Sequence, residues 1–261
     1  MKVVAIQLDT VWEDKNASHQ RVETLLGAVE PGTLVVLPEM FSTGFSTDLS
    51  ALVEEEGCGD SQRFLASVAS RHRCWVIGGV VVPAPDGRGW NQAVGFDPSG
   101  EPFVRYTKVH PFTFGGETAI MNAGESARLV EVADMKICPV VCYDLRFPEL
   151  FRWGARRGAE LFVVIANWPA PRQDHWRTLA KARAIENQAW VVAVNRCGTD
   201  PNHAYAGGSA IFDPRGTMVA DAGSAEVRIE AECDPVMLHA YRREFPALRD
   251  MRHHLFAAPH D

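Results

Sequence analysis

The sequence lacks the cysteine arrangements of a disulfide scaffold or a structural zinc site. Its six cysteines form no C-x-x-C pair and show no framework spacing: Cys58, Cys74, Cys138, Cys142, Cys197 and Cys233. His175 and His203 have no partner at metal-ligand spacing, so the sequence predicts no metal, and no other cofactor is expected. Unpaired thiols suit a reducing compartment, and we therefore expect a cytoplasmic protein.

Long apolar runs and basic runs are also missing. No stretch approaches the roughly 18 apolar residues of a membrane span, and the apolar part of the N-terminal MKVVAIQLD is too short for a signal peptide. The net charge is −7 and no basic stripe stands out, which argues against a nucleic-acid partner. We expect the partners to be a small molecule and water, with no membrane and no nucleic acid.

The chain has no segment that resembles a linker. Its 261 residues therefore predict one domain over residues 1–261. The stretch 241–261 is mixed and basic, and we predict that it forms a C-terminal arm that docks over the domain or over a partner subunit.

Strand-like and helix-like segments alternate along the chain. The first strand is predicted at Val3–Leu8, followed by a helix that Asn16 is placed to cap. The turn FDPSG at residues 96–100 returns as FDPRG at residues 212–216, which indicates two related β-α-β-α-β-β halves. Each half should give a mostly parallel sheet covered by helices. The predicted fold class is α/β, a four-layer α-β-β-α sandwich.

Cys142 lies between a predicted strand and a predicted helix. It follows the apolar run Ile137–Val141 and precedes the polar turn Tyr143–Arg146, after which Pro148 is typical of a first helical turn. Such a placement presents the sulfur at the carboxyl edge of a sheet, where open α/β sheets keep their reactive groups. The alternative is a buried structural cysteine, because free cysteine is among the most buried residue types.

Two isolated charges lie in similar apolar surroundings. Glu39 follows a predicted strand between Pro38 and Met40, and Lys108 follows the hairpin strand that ends at Thr107. Either one could be a surface group. Burying either charge unpaired would be costly, so the economical arrangement brings them together. A thiol beside them would gain a cation that favours the thiolate and a carboxylate that accepts its proton.

Three blocks of this sequence resemble the nitrilase superfamily of carbon–nitrogen hydrolases. They are LPEMF at residues 37–41, YTKVH at residues 106–110 and CYDLRFPE at residues 142–149, and they occur in the family's chain order. The resemblance spans nearly the whole chain. It implies the α-β-β-α sandwich and a homodimer or larger homo-oligomer in which the C-terminal segment reaches across.

The resemblance also implies roles for single residues. Glu39 matches the general base, Lys108 the lysine beside the tetrahedral intermediate, and Cys142 the nucleophile that forms a thioester. The backbone N–H of Tyr143 is expected to join the lysine in holding the oxyanion. Glu117 resembles the accessory second glutamate, although a solvated loop acid is an open alternative.

The substrate is indicated by a further stretch that resembles the bacterial omega-amidase branch. It runs from NWP at residues 167–169 to ARAIENQ at residues 182–188. That branch releases ammonia from the terminal amide of small 2-oxo acids such as 2-oxoglutaramate. The substrate carboxylate would need cationic donors, since guanidinium binds carboxylates bidentately. The candidates are Arg146, Arg172 and Arg196, each of which could instead form a structural ion pair. Trp168 is expected either in the pocket wall or in the core.

Other functions remain open at this point. Deaminated-glutathione amidase, N-carbamoyl amino acid hydrolase and nitrilase would share the same three residues and differ in substrate. A non-catalytic interaction protein with a vestigial site would share them without activity. A papain-like site is disfavoured, because Cys142 lacks the local signature of that family.

Overall fold

Two six-stranded sheets form the centre of the protein, which we describe over residues 1–252 from a computed structural model. In the first half the elements are β1 (Lys2–Gln7), α1 (Lys15–Leu26), β2 (Leu34–Val36), α2 (Leu49–Leu52), α3 (Asp60–His72), β3 (Trp75–Pro83), β4 (Gly89–Phe96), β5 (Pro102–Thr107) and α4 (Glu117–Ile120). In the second half they are β6 (Val130–Val132), β7 (Met135–Val141), α5 (Pro148–Arg156), β8 (Leu161–Ala166), α6 (Gln173–Asn187), β9 (Trp190–Asn195), β10 (Cys197–Thr199), β11 (Ala204–Ala206), β12 (Ala210–Phe212), β13 (Met218–Asp221), β14 (Val227–Glu232) and α7 (Pro235–Glu244). None of these helices is long and apolar enough to cross a membrane.

The two sheets repeat one topology. The first has the order β14-β1-β2-β3-β4-β5 and the second the order β13-β12-β9-β8-β7-β6. Strands β1, β2 and β3 run parallel, as do β7, β8 and β9, and an antiparallel hairpin follows each set. The predicted β-α-β-α-β-β halves are therefore present. Each gains one antiparallel edge strand that the prediction missed, β14 beside β1 and β6 beside β7.

Alternation along the strands divides the core into layers. In β1, Val3 and Ala5 face the second sheet, whereas Val4 and Ile6 pack under α1 and α3. On the second sheet, the helices α5 and α6 cover the outer face, where Phe151 and Trp176 are fully buried. The predicted α-β-β-α sandwich is confirmed.

The cap of the first helix differs from the predicted one. Asp14 caps α1 by accepting a hydrogen bond from the Ala17 N–H, and Asn16 lies inside the first turn. The N-terminus of α3 is held by Glu54, whose carboxylate accepts from the backbone N–H of Ser61 at 3.1 Å. A carboxylate at this position also complements the helix dipole.

The predicted C-terminal arm begins inside α7. Arg242 donates hydrogen bonds to the carbonyls of Gln188 at 2.9 Å and Ala159 at 2.6 Å, which fixes α7 beside the end of α6 in the same chain. The Gln188 side chain in turn donates to the Phe245 carbonyl. Residues 253–261, the last part of the predicted arm, lie outside the described residues.

Gly79 in β3 allows the chain after β2 to approach the sheet closely. A Cβ at position 79 would lie 2.5 Å from both Glu39 Cα and Met40 N, and these are backbone atoms that cannot move aside alone. The Gly79 N–H also donates to the Pro38 carbonyl at 3.1 Å. Gly79 therefore sets the position of the Glu39 backbone.

We expect Gly79→Ala to lower the free energy of unfolding by about 1–3 kcal/mol, the usual cost of overpacking a core. The matched control is Gly78→Ala, whose new methyl group would meet only the side chains of Leu65 at 3.1 Å and Phe41 at 3.2 Å. Because those side chains can shift, its loss should be smaller. Urea unfolding of both variants measures this, and equal losses would contradict the assigned role of Gly79.

Candidate active site

Three strand ends bring the predicted reactive side chains together. Glu39 follows β2, Lys108 follows β5 and Cys142 follows β7, and all three are buried. Two of these ends turn sharply, since Met40 has φ 44° and Cys142 has φ 48°. Non-glycine residues rarely adopt this left-handed conformation, and they do so mostly where the surroundings hold a functional group in place.

Lys108 is the centre of a buried ion cluster. Its ammonium lies 3.0 Å from Glu39 Oε1 and 2.7 Å from Glu117 Oε2, and each of the three residues is at most 1% exposed. Burial opposes the charge on Lys108, but the carboxylates of Glu117 and Glu39 outweigh it and hold the lysine pKa well above its usual value. The charged form of Lys108 is therefore favoured, and Glu117 is buried beside it rather than solvated in a loop.

Asn91 joins the two carboxylates. Its side-chain amide donates to Glu39 Oε1 at 2.7 Å and to Glu117 Oε1 at 2.8 Å. The Phe112 backbone N–H adds a hydrogen bond to Glu117 Oε2. Sequence reasoning missed Asn91, although an asparagine inside a strand was the available signal.

Asn167 fixes the other oxygen of Glu39. Its backbone N–H donates to Glu39 Oε2 at 2.8 Å, and its side chain donates to the Glu39 carbonyl at 2.8 Å. Both carboxylate oxygens of Glu39 are thus fixed by hydrogen bonds, Oε1 by Asn91 and Lys108 and Oε2 by Asn167. Asn167 follows β8 in the second sheet, whereas Glu39 follows β2 in the first, so the cluster spans both halves of the chain.

The Cys142 thiol is protonated at neutral pH. Burial raises its pKa well above the usual value, the nearby Glu39 carboxylate acts in the same direction, and the Lys108 ammonium opposes both. A neutral thiol beside a carboxylate and a cation can transfer its proton to the carboxylate when it reacts. The arrangement is suited to nucleophilic attack on a carbonyl carbon, with the ammonium close to the developing charge.

Asp144 connects the nucleophile turn to the strand that carries Lys108. Its Oδ2 accepts from the Tyr106 hydroxyl at 2.7 Å and from the Val141 N–H at 3.0 Å. Its Oδ1 accepts from the backbone N–H of His110 at 3.0 Å and lies 2.9 Å from the imidazole Nδ1. One carboxylate therefore orients both sides of the site, a function that the sequence analysis did not assign.

Cys142 and Lys108 line a pocket. Its walls are largely aromatic, and the residues that line it include Phe45, Phe112, Tyr143, Trp168, His203 and Tyr205. Tyr143 lies at the start of a short 3₁₀ helix, Cys142–Arg146, where backbone N–H groups have no partner within the helix. The Tyr143 N–H belongs to the residue directly after Cys142, in the first turn of this helix.

Arg146 and Arg172 also line this pocket, and neither forms an ion pair with a carboxylate of residues 1–252. The Arg146 guanidinium stacks on Trp168 at 4.7 Å, and that of Arg172 lies over Phe112 at 5.4 Å. Partial burial lowers the pKa of Arg146, and the charge of Arg172 acts in the same direction. Arg146 Nη1 and Nη2 also lie 3.2 Å from His175 Nδ1, but no carboxylate of residues 1–252 neutralises either arginine.

The other two residues predicted for substrate binding, Arg196 and Trp168, lie in different places. Arg196 does not line the pocket, because its fully buried guanidinium is held by Asp9 and by the Thr10 and Thr199 carbonyls. Trp168 satisfies both alternatives, since it lines the pocket while only 2% of it is exposed. Within residues 1–252 no three His, Cys, Asp or Glu side chains are placed to hold a metal ion.

Comparison with known proteins shows which family this chain resembles. Residues 2–243 match the carbon-nitrogen hydrolase family. The omega-amidase YafV of Yersinia enterocolitica is 38% identical over 254 residues, which cover 96% of both chains. The 2-oxoglutaramate amidase of Bacillus subtilis is 34% identical and covers 85% of this chain and 86% of its own.

Two solved structures of similar proteins have the same fold as this chain. XC1258 from Xanthomonas campestris, a CN-hydrolase superfamily protein, superimposes with a TM-score of 0.89 at 32% identity over 96% of this chain and 97% of its own. Nit3 of Saccharomyces cerevisiae, a member of branch 10 of the nitrilase superfamily, gives a TM-score of 0.83 at 29% identity over 94% of each chain.

The thiol environment predicts an unusual response to one substitution. Because the Glu39 carboxylate raises the pKa of Cys142, the neutral variant Glu39→Gln should lower that pKa, and the thiolate should form at lower pH than in the wild type. The ultraviolet thiolate absorbance against pH measures this. Each protein is compared with its own Cys142→Ala derivative, so that the five other thiols cancel. An unchanged or raised midpoint would contradict the described electrostatics.

Proposed function

Because the chain belongs to the carbon–nitrogen hydrolase family and so hydrolyses carbon–nitrogen amide bonds, we propose that it is an omega-amidase. Its substrates would be small 2-oxo acids with a terminal amide, such as 2-oxoglutaramate, which it converts to 2-oxoglutarate and ammonia. Relatives named omega-amidase and 2-oxoglutaramate amidase support this proposal. The observation that carries it is the pocket itself, which combines a thiol, a buried carboxylate–ammonium pair and two arginines without carboxylate partners.

In the proposed reaction, the Glu39 carboxylate accepts the proton of Cys142 as the sulfur attacks the amide carbon. The charge that develops on the amide oxygen is stabilised by the Lys108 ammonium and by the backbone N–H of Tyr143. Glu39 then delivers the proton to the departing nitrogen, which leaves as ammonia. The product of this half-reaction is a thioester between the acyl group and Cys142.

The second half-reaction uses the same groups. Glu39 removes a proton from water, whose oxygen attacks the thioester carbon, and the proton returns to the sulfur as the acid departs. Lys108 is unsuited to the role of base, because its raised pKa keeps it protonated. Glu117 and Asn91 would position the lysine and Glu39 without contacting the reacting atoms.

Arg146 and Arg172 would bind the substrate carboxylate. Both have guanidinium groups at the pocket wall, and an incoming carboxylate would relieve the repulsion between these two cations. Trp168 would complete this end of the pocket, since Arg146 stacks on its ring. A nitrile without a carboxylate would leave both arginines unused.

We further propose a cytoplasmic homodimer or larger homo-oligomer. All six cysteines lie within residues 1–252 and are free thiols, which supports a reducing compartment. Exposed apolar side chains on α6 and α7 support self-association: Ile185 is 46% exposed and Val236 72%, and Phe245 just after α7 is 58% exposed.

The first test is a substrate panel with ammonia release as the readout. We expect 2-oxoglutaramate to be hydrolysed with a higher kcat/KM than an N-carbamoyl amino acid or a nitrile, and a thioester adduct on Cys142 to be detected by intact mass. Cys142→Ala should release no ammonia and form no adduct, whereas Cys58→Ala, which removes an exposed thiol, should behave as the wild type. Turnover by Cys142→Ala, or a preference for another panel member, would refute the proposal.

The second test concerns carboxylate recognition. We expect Arg146→Met and Arg172→Met each to raise KM for 2-oxoglutaramate by roughly 10- to 100-fold, the size of a hydrogen bond to a charged group. Hydrolysis of propanamide, which has no carboxylate, should change little. Arg156→Met, on the exposed surface of α5, is the matched control. Equal losses for the charged and uncharged amides would assign the arginines to structure.

A further inference from the structure

The guanidinium of Arg146 is held by three side chains that carry no negative charge. Its central carbon lies 4.7 Å from the centre of the Trp168 ring and 5.8 Å from that of the Tyr143 ring. Its Nη1 and Nη2 each lie 3.2 Å from His175 Nδ1. The two rings and the imidazole together fix where the guanidinium points, although none of them neutralises it.

The contact between Arg146 and His175 has only one chemical direction. A guanidinium donates hydrogen bonds and never accepts them, so His175 Nδ1 is the acceptor. In this contact the imidazole carries its hydrogen on Nε2 and has no net charge. The contact occupies the end of the guanidinium between Nη1 and Nη2. It leaves the edge formed by Nε and the neighbouring Nη for a bidentate contact with a carboxylate.

His175 acts on the pocket from outside it. It is the third residue of α6 and is exposed, and it is not among the residues that line the pocket, whereas Arg146 is. An effect of the His175 side chain on a substrate therefore passes through the guanidinium that it contacts. This makes His175 a candidate positioning residue, which orients a binding group without touching the reacting atoms.

We propose that His175 is an uncharged positioning residue for the substrate carboxylate, an inference that rests on the proposed amidase function. The imidazole orients Arg146 and leaves its whole positive charge for the substrate. A carboxylate in the same place would orient the guanidinium equally well, but it would neutralise Arg146 and repel the incoming anion. An acid would otherwise suit this first turn of α6, because acids complement a helix N-terminus, and the preceding residue is Asp174.

Three substitutions of His175 separate orientation from charge. His175→Asn keeps an uncharged acceptor, because the asparagine oxygen lies near the position of the imidazole Nδ1. His175→Ala removes the acceptor. His175→Asp keeps an acceptor and adds a negative charge, in a helix turn where that charge favours folding. If His175 served only the stability of α6, the aspartate variant would be tolerated well, whereas the proposal makes it the worst of the three for substrate binding.

The first measurement is steady-state hydrolysis of 2-oxoglutaramate by the full-length protein. His175→Asn should keep KM close to the wild-type value. We expect His175→Ala to raise KM by roughly 3- to 10-fold, the size of one ordinary hydrogen bond, and His175→Asp to raise it by roughly 10- to 100-fold. In all three variants kcat should be unchanged, as should hydrolysis of propanamide, which has no carboxylate. Lys181→Ala, at an exposed position of α6, is the matched control.

The second measurement does not depend on turnover. Binding of 2-oxoglutaramate to the Cys142→Ala protein is titrated by calorimetry, and affinity should fall in the order Asn, Ala, Asp at position 175. Adding Arg146→Met should abolish the effect of His175→Ala. Equal affinities of the Asn and Asp variants, an alanine effect that persists without Arg146, or no binding to Cys142→Ala itself would each overturn the proposal.

The two measurements also separate this inference from the amidase assignment. If 2-oxoglutaramate binds in the expected order but the wild-type protein does not hydrolyse it, the inference stands and the assignment fails. If the wild-type protein hydrolyses it with a KM that is insensitive to the substitutions of His175, the assignment stands and the inference fails.

Discussion

The structure depends on one ammonium held between two carboxylates away from water. Lys108, Glu39 and Glu117 are almost fully buried, and the cluster has one more carboxylate than ammonium. Isolated charges in such a place would be prohibitively expensive, so the fold supplies hydrogen-bond donors from several directions. Asn91 donates to both acids and the Asn167 backbone donates to Glu39. The two sheets must therefore pack in a single register for the cluster to exist.

This constraint explains why polar residues appear inside an otherwise apolar sandwich. Asp144 is fully buried and accepts hydrogen bonds from the Tyr106 hydroxyl and from the backbone of Val141 and His110. The backbone turn at Cys142 and the strand end at Lys108 are thereby fixed relative to each other. Preorganisation of this kind is what an enzyme needs when charge develops on the substrate in a dry pocket.

The fold was largely predictable from sequence because strand–helix alternation and the repeated FDP turn are local signals. The clustering of Glu39, Lys108 and Cys142 was predictable because each follows the end of a predicted strand and has apolar neighbours. The edge strand β14 was missed, since its pairing with β1 joins residues as far apart as Lys2 and Glu232. The contacts of Asn91 and Asp144 were missed for the same reason, because their hydrogen-bond partners are distant in the sequence. The exclusion of Arg196 likewise required the position of Asp9.

The neutral state of the Cys142 thiol affects how readily the protein is oxidised. An ordinary exposed cysteine is a few per cent anionic near neutral pH and is steadily lost to peroxides and electrophiles. Here burial and the adjacent Glu39 carboxylate raise the pKa of the thiol and so disfavour the anionic form. The folded chain thus keeps the Cys142 sulfur in its less reactive form, and this sulfur would become more open to oxidation in an unfolded copy.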